Sequence, residues 1–206
     1  MSRIGIFGGS FNPIHNGHIH LIECAVSDFK LDRVILMPTA IAPHKSSHEY
    51  VSAEHRLKMC ELAASGIDGI EVSSFEIDKG GKSYTVDTIR HFRTEYPYDE
   101  LFLLVGSDML STFDEWYRYE EILANASLCA VSRLGNDIKL LEEYAEKLRR
   151  FGNVYISHSP SVPMSSSKIR RLVKNRKDFS CYLPEKVVQY IKVHSLYCEE
   201  QVEYDV

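Results

Sequence analysis

The 206-residue chain lacks the features of several large protein classes. No apolar run approaches the ~18 residues of a membrane-spanning helix, and no charged-then-apolar leader precedes the first apolar segment. The net charge of −5 and the pI of about 6.0 argue against a broad surface for nucleic-acid phosphates. The five cysteines are scattered without metal or redox spacing, which indicates reduced thiols. These absences predict a cytoplasmic protein with neither a nucleic-acid nor a membrane partner.

Two common phosphate-binding signatures are also missing. The sequence contains neither Gly-x-x-x-x-Gly-Lys-Ser/Thr nor the Gly-x-Gly-x-x-Gly of dinucleotide folds. It shows no Ser-His-Asp set, no reactive cysteine setting and no paired acid and base carboxylates. A hydrolase would be unusual without such groups, whereas direct nucleotidyl transfer needs none of them.

The hydrophobic pattern predicts an α/β fold. Short continuous apolar runs alternate with longer amphipathic stretches, as in a parallel sheet with both faces covered by helices. The predicted strands are 4–7, 34–37, 70–72, 101–105, 128–131 and 154–156. The predicted helices are 17–28, 53–65, 85–95, 115–124, 137–150, 166–175 and 184–193. We therefore expect one Rossmann-like, doubly wound domain over residues 1–206, with C-terminal helices from about 165 and a loosely held tail, 199–206.

The first predicted strand runs into the segment Gly-Gly-Ser-Phe-Asn-Pro-Ile-His-Asn-Gly-His at residues 8–18. Gly8 and Gly9 allow the backbone to turn tightly and to approach a ligand closely. The following helix begins with unpaired N–H groups that attract anions. His15 and His18 can both face one point and donate to phosphate oxygens. Zinc is the alternative ligand, but no four-residue Cys or His set accompanies the pair, so no protein metal site is predicted.

Four chemistry-bearing segments follow predicted strands. These segments are 8–18, 38–45, 106–108 and 165–170. Because ligands of doubly wound sheets bind outside the carboxyl ends of the strands, the pattern predicts one composite site at that edge.

A resemblance to a known family covers nearly the whole chain. Residues 164–170, Met-Ser-Ser-Ser-Lys-Ile-Arg, resemble the Ile-Ser-Ser-Thr-x-Ile-Arg element that accompanies Gly-x-Phe-x-Pro-x-His-x-Gly-His in nucleotidyltransferases. With Pro43-His44-Lys45, Ser83-Tyr84-Thr85, Val105-Gly106-Ser107-Asp108 and Trp116-Tyr117, the set resembles the bacterial nicotinate mononucleotide adenylyltransferases.

This resemblance implies an enzyme of NAD biosynthesis. It would transfer AMP from ATP to nicotinate mononucleotide by direct in-line attack and release pyrophosphate, with Mg²⁺ bound mainly through the ATP phosphates. The implied catalytic residues are His15, His18, Lys45 and Arg170. The implied ATP-binding residues are Gly8, Gly9, Ser10, Phe11, Gly106, Asp108, Ser166 and Ser167. The implied acceptor-binding residues are Ser83, Tyr84, Thr85, Trp116, Tyr117 and Arg133.

Several alternatives stay open at this point. Trp116 could instead pack in the core, and Asp108 could cap a helix. Asn12 stands where the family commonly has Asp, and its effect on rate is not settled by the sequence. The acceptor could be nicotinamide mononucleotide or phosphopantetheine, or the protein could be a non-catalytic nucleotide sensor. A homo-oligomer is compatible with the sequence.

Overall fold

A computed structural model describes residues 1–41, 50–131, 138–157, 159, 162 and 164–198. The predictions made for Lys45, Arg133 and the tail 199–206 lie outside these ranges, as do those for Pro43 and His44. Across the described ranges, none of the helices has the length and apolar character that crossing a membrane requires.

Six parallel strands form one sheet. They are β1 (Arg3–Gly9), β2 (Arg33–Pro38), β3 (Ile70–Val72), β4 (Glu100–Gly106), β5 (Ser127–Val131) and β6 (Val154–Ser157). The strand order is β3-β2-β1-β4-β5-β6, and all six predicted strands are confirmed. Because β1 pairs with both β2 and β4, the order reverses at β1 and the loops after β1 and β4 diverge there. Such a reversal opens a crevice at the carboxyl edge of the sheet.

The helices cover both faces of the sheet. They are α1 (Asn16–Phe29), α2 (Ala53–Ala64), α3 (Phe75–Lys79), α4 (Thr85–Glu95), α5 (Ser107–Leu110), α6 (Tyr119–Asn125), α7 (Ile138–Leu148), α8 (Ser166–Lys174) and α9 (Glu185–Val193). The seven predicted helices are present, whereas the short helices α3 and α5 were not predicted. The sequence also placed the start of α6 too early, because Phe113–Glu115 forms a 3₁₀ turn and Arg118 adopts a left-handed φ of 57°.

Two hydrophobic layers hold these elements together. The alternation of side chains along each strand sends Val34 and Leu36 to the layer that also contains residues of α1, α2, α8 and α9. The same alternation sends Ile35 and Met37 to the opposite layer, with residues of α4, α6 and α7. With both faces of a parallel sheet covered, the doubly wound α/β fold predicted from the sequence is confirmed.

Candidate active site

The loop that joins β1 to α1 is tightly packed. We call residues Ser10–His15 the phosphate loop. Phe11 adopts a left-handed φ of 43°, and the Asn12–Pro13 peptide is cis. A Cβ added at Gly9 would lie 2.8 Å from the Phe11 ring, so only glycine fits there. A Cβ at Gly8 would meet no atom within 4 Å, which leaves the exposed Gly8 backbone open to a ligand.

The two predicted histidines lie together at the start of α1. His15 occupies the N-cap position, and its ring stacks on that of His18 with centroids 3.6 Å apart. The His15 backbone N–H donates to His18 Nδ1 at 3.2 Å. Since Nδ1 is the acceptor in this bond, a neutral His18 ring carries its proton on Nε2. His18 is therefore oriented as a donor through its distal nitrogen.

Small and aromatic neighbours fix these rings. A Cβ at Gly17 would lie 3.1 Å from His15 Nδ1 and 3.2 Å from Met164 Cβ, so a side chain at Gly17 would crowd the His15 ring. Phe11 meets His18 edge to face, with ring centroids 5.0 Å apart. The space between the two histidines is thus tight for any residue larger than glycine.

The serine-rich segment at the start of α8 docks on the phosphate loop. The Ser166 hydroxyl donates to the Pro13 carbonyl at 2.9 Å, although the two residues are 153 positions apart. Arg170 Nη1 donates to the Asn12 carbonyl at 3.0 Å, and Nη2 donates to Ser167 Oγ at 3.4 Å. The structure therefore brings together the two segments whose sequences predicted a common phosphate site.

Asn12 anchors the phosphate loop from the inside. Its side chain is buried, and Oδ1 accepts from the Tyr197 hydroxyl at 2.9 Å and from the Val51 N–H at 3.4 Å. Burial raises the pKa of Tyr197, which keeps the phenol protonated and able to donate. The amide oxygen therefore ties the loop to the C-terminal segment. No sequence pattern pointed to Tyr197.

Four of the residues predicted to bind the acceptor substrate, Ser83, Tyr84, Thr85 and Tyr117, lie at or beside the start of α4. This helix begins at Thr85, as predicted, and Tyr84 is its N-cap. The ring of Tyr84 lies 5.2 Å from that of the exposed Tyr117. Trp116 packs against Phe113, with ring centroids 4.9 Å apart, and is only partly buried. Trp116 therefore contacts the core and also retains an accessible surface beside Tyr117.

We call residues Ser83–Thr85 the acceptor segment, and within it Ser83 lies deeper than its two neighbours. Its side chain is 9% exposed, and Oγ accepts from the Ala40 N–H at 3.0 Å. Nearby, the buried Glu76 accepts from the Thr88 hydroxyl at 2.6 Å, and burial raises the pKa of the Glu76 carboxyl. No sequence motif indicated Glu76.

The junction between β4 and α5 contributes two more of the predicted residues. Gly106 is the N-cap of α5, and the exposed Asp108 follows in its first turn. Gly106 therefore takes the position that the capping interpretation had given to Asp108. Within the described ranges, no group of three or more His, Cys, Asp or Glu side chains is placed to hold a metal ion.

Comparison with known proteins places the chain in a class. A cytidylyltransferase-like family profile matches residues 6–172, which is most of the chain. The protein therefore belongs to the cytidylyltransferase-like family. Relatives that align over nearly its whole length show to which branch of that family it belongs.

Those relatives are named probable nicotinate-nucleotide adenylyltransferases. The protein from Geobacter sp. (strain M21) is 36% identical over 213 aligned positions, covering 96% of this chain and 99% of that protein. The protein from Moorella thermoacetica is 38% identical over 198 positions, covering 95% of this chain and 91% of that protein. The chain is a member of the nicotinate-nucleotide adenylyltransferase branch.

Solved structures share the fold. The Plasmodium falciparum nicotinic acid mononucleotide adenylyltransferase complexed with APC superposes with a TM-score of 0.76 at 17% identity, covering 96% of this chain and 98% of that chain. The same enzyme complexed with NaAD gives a TM-score of 0.75 at 19% identity, with 96% and 98% coverage. At these identities the likeness establishes the architecture, which matches the six-stranded parallel sheet described above.

Proposed function

We propose that this protein transfers AMP from ATP to nicotinate mononucleotide, giving deamido-NAD and pyrophosphate. The observation that carries the proposal is the contact between the phosphate loop and the serine-rich start of α8, next to the stacked rings of His15 and His18. Family membership agrees with this assignment.

The reaction needs positioning and charge stabilisation more than proton transfer. A phosphate oxygen of the mononucleotide attacks the α-phosphorus of ATP, and the bond from that phosphorus to the bridging oxygen breaks, so pyrophosphate leaves with the electron pair. The attacking phosphate is already anionic, so no general base is required. His18 would donate through Nε2 to the reacting phosphate, with His15 beside it and Lys45 reaching the same centre.

The start of α8 fits the tail of ATP. The first-turn N–H groups of Ser166 and Ser167 have no acceptor within their own helix and attract anions. Arg170, held between Asn12 and Ser167, would add a guanidinium to the β- and γ-phosphates. The nucleoside side of ATP would lie along Gly8, Gly9, Ser10 and Phe11, with Gly106 and Asp108 across the crevice.

Magnesium fits this arrangement as an ion carried by the substrate. The groups around the phosphate loop are mainly N–H and imidazole donors, which suit phosphate oxygens, whereas Mg²⁺ prefers oxygen ligands and keeps several waters. The ion would be bound through ATP oxygens and water. It would help to neutralise the charge that develops on pyrophosphate.

The acceptor segment favours an acid over an amide. Tyr84 and Thr85 present N–H groups and the Thr85 hydroxyl at the positive end of α4. A pyridine carboxylate accepts from every donor, whereas an amide turns its NH₂ toward one of them, at a cost of roughly 1–3 kcal/mol. Trp116 and Tyr117 would cover the pyridine ring, with Arg133 as a further contact.

An acceptor panel tests the proposal. The protein is incubated with ATP, Mg²⁺ and, separately, nicotinate mononucleotide, nicotinamide mononucleotide and phosphopantetheine, and pyrophosphate release is measured. We expect kcat/KM for the nicotinate substrate to exceed that for the amide by about 10- to 100-fold, with no release from phosphopantetheine. Equal rates for acid and amide would contradict the role of the acceptor segment. ATP binding without pyrophosphate from any acceptor would indicate a nucleotide sensor.

A further inference from the structure

A buried arginine lies beneath the site and does not belong to any of its motifs. Arg56 is on α2, and its side chain is only 2% exposed. Its Nη1 donates to the Ser10 carbonyl at 2.9 Å, its Nη2 to the Ala40 carbonyl at 2.9 Å, and its Nε to the Val51 carbonyl at 3.3 Å. All three guanidinium nitrogens are thus bonded to backbone oxygens.

The three carbonyls come from separate segments. Ser10 begins the phosphate loop, Ala40 follows β2, and Val51 precedes α2. Burial lowers the pKa of Arg56, but a guanidinium stays charged in proteins, so these carbonyl bonds offset its desolvation. A buried cation held in this way fixes the relative positions of the segments that solvate it.

The connection continues from Ala40 to the acceptor segment. The Ala40 N–H donates to Ser83 Oγ at 3.0 Å, and the Ser83 N–H donates to the Ile41 carbonyl at 3.1 Å. A parallel bridge pairs Ile41 with Lys82 at the same place. Ser83 directly precedes the N-cap of α4. An unbroken series of hydrogen bonds therefore runs from the phosphate loop, through Arg56, to the start of α4.

We propose that Arg56 is a positioning residue that fixes the spacing between the phosphate loop and the acceptor segment. The proposal rests on the proposed function, because the two segments would hold the two substrates of the transfer. In-line attack requires the reacting atoms to be close and aligned, and a displacement of about 1 Å can cost about 10²-fold in rate. Arg56 would act on the rate without touching either substrate.

Lysine cannot replace this arrangement. Its single ammonium keeps the charge but lacks the planar fork that reaches carbonyls in three directions. In Arg56→Lys, each half of the site retains its own residues, while their relative placement is lost. We therefore expect Arg56→Lys to lower kcat, with smaller changes in KM for ATP and for the mononucleotide.

A second arginine, partly buried and at the opposite edge of the sheet, serves as the control. Arg93 also donates to three backbone carbonyls, those of Tyr96, Asp99 and Asn125, at 3.4, 2.8 and 2.6 Å. These acceptors precede β4 and β5, so they lie at the amino ends of the strands, away from the site. Arg93→Lys reports the effect of losing a similar network that connects no substrate-binding segments.

The experiment compares melting temperature and steady-state kinetics for the wild type, Arg56→Lys and Arg93→Lys. We expect both variants to melt at lower temperature, but only Arg56→Lys to lose about 10²-fold in kcat, with each KM changed less than about 3-fold. A kcat for Arg56→Lys within about 3-fold of that for Arg93→Lys would overturn the proposal. A loss confined to one KM would do so as well.

Ser83→Ala tests the connection where Arg56 is intact, and decides the matter if Arg56→Lys does not fold. Removing Oγ leaves the Ala40 N–H without its acceptor, so kcat should fall even with both substrates saturating. A change in KM for the mononucleotide alone would mean that Ser83 serves only the acceptor and would overturn the coupling. If the wild type releases no pyrophosphate with any acceptor, both the proposed function and this inference are overturned. If the wild type is active and Arg56→Lys is unaffected, only the inference is overturned.

Discussion

His18 has one observed hydrogen bond and one proposed catalytic role, and substitution can separate the two. Its Nδ1 accepts from the His15 N–H at 3.2 Å, which caps the start of α1. Its Nε2 is the donor proposed for the reacting phosphate. Removing both nitrogens in His18→Ala should therefore weaken folding and catalysis together, by amounts that differ greatly.

The two magnitudes follow from the bonds concerned. Loss of an N-terminal helix cap costs about 1 kcal/mol, which for a chain of this size lowers the melting temperature by roughly 2–4 °C. Loss of one preorganised donor to a developing charge costs about 10²- to 10³-fold in kcat. His18→Ala should thus melt a few degrees earlier and yet lose nearly all of its turnover.

Two amide variants distinguish these tasks. The Asn oxygen can occupy the place of Nδ1, so His18→Asn should keep the stability of the wild type while losing about 10²-fold in kcat. The longer Gln places its NH₂ near the position of Nε2, so His18→Gln should recover part of the rate. Pyrophosphate release under saturating substrates and thermal melts provide both readouts. Near-normal turnover in a folded His18→Asn would refute the assignment of the donor to Nε2.

Three further substitutions test other parts of the site. Arg170→Lys replaces a planar fork by a point charge, so kcat/KM for ATP should fall much more than that for the mononucleotide; equal losses would indicate a purely structural role. Glu76→Gln keeps an oxygen to accept from Thr88 but removes a carboxyl whose pKa burial raises. Because the folded state binds that proton more tightly, stability should rise in the wild type as pH falls through the raised folded pKa toward the unfolded value of about 4.3. Melts of Glu76→Gln across this range should lack that rise, and an unchanged pH profile would contradict the assignment. Tyr197→Phe leaves the buried Asn12 oxygen with one donor fewer, so unfolding should be easier by about 1–3 kcal/mol, measured by denaturant titration. A variant as stable as the wild type would show that the bond contributes nothing net.

The fold followed from the sequence wherever burial was continuous. Four of the six strands, β1, β2, β4 and β5, contain a continuous buried run, and such runs predict strands covered on both faces. The edge strand β3 was predicted as well, although none of its three residues is buried. The short helices α3 and α5 were not predicted, because segments of five and four residues are too short to show a helical pattern of hydrophobic residues. The start of α6 was misplaced since the left-handed Arg118 separates it from a 3₁₀ turn, and propensity does not reveal that break.

The site followed from the sequence only where residues lie within a motif. The motif positions predicted that His15 and His18 would lie together and that the start of α8 would meet the phosphate loop, and the structure shows both contacts. Tyr197 could not be predicted to reach Asn12, because a single tyrosine near the end of a chain carries no indication of its partner.

Arg56 shows why motifs describe only half of such a site. It shares the buried stripe of α2 with Met59, Cys60 and Ala63, so the helical period could have indicated that this arginine is buried. Its partners could not be inferred, since they are backbone carbonyls of Ser10, Ala40 and Val51, and a carbonyl has no residue identity. Where loops leave the ends of parallel strands, their carbonyls no longer pair within the sheet and must find donors elsewhere. A buried guanidinium supplies several donors at one point, so one side chain on a neighbouring helix can set the spacing of loops that the sequence presents as unrelated.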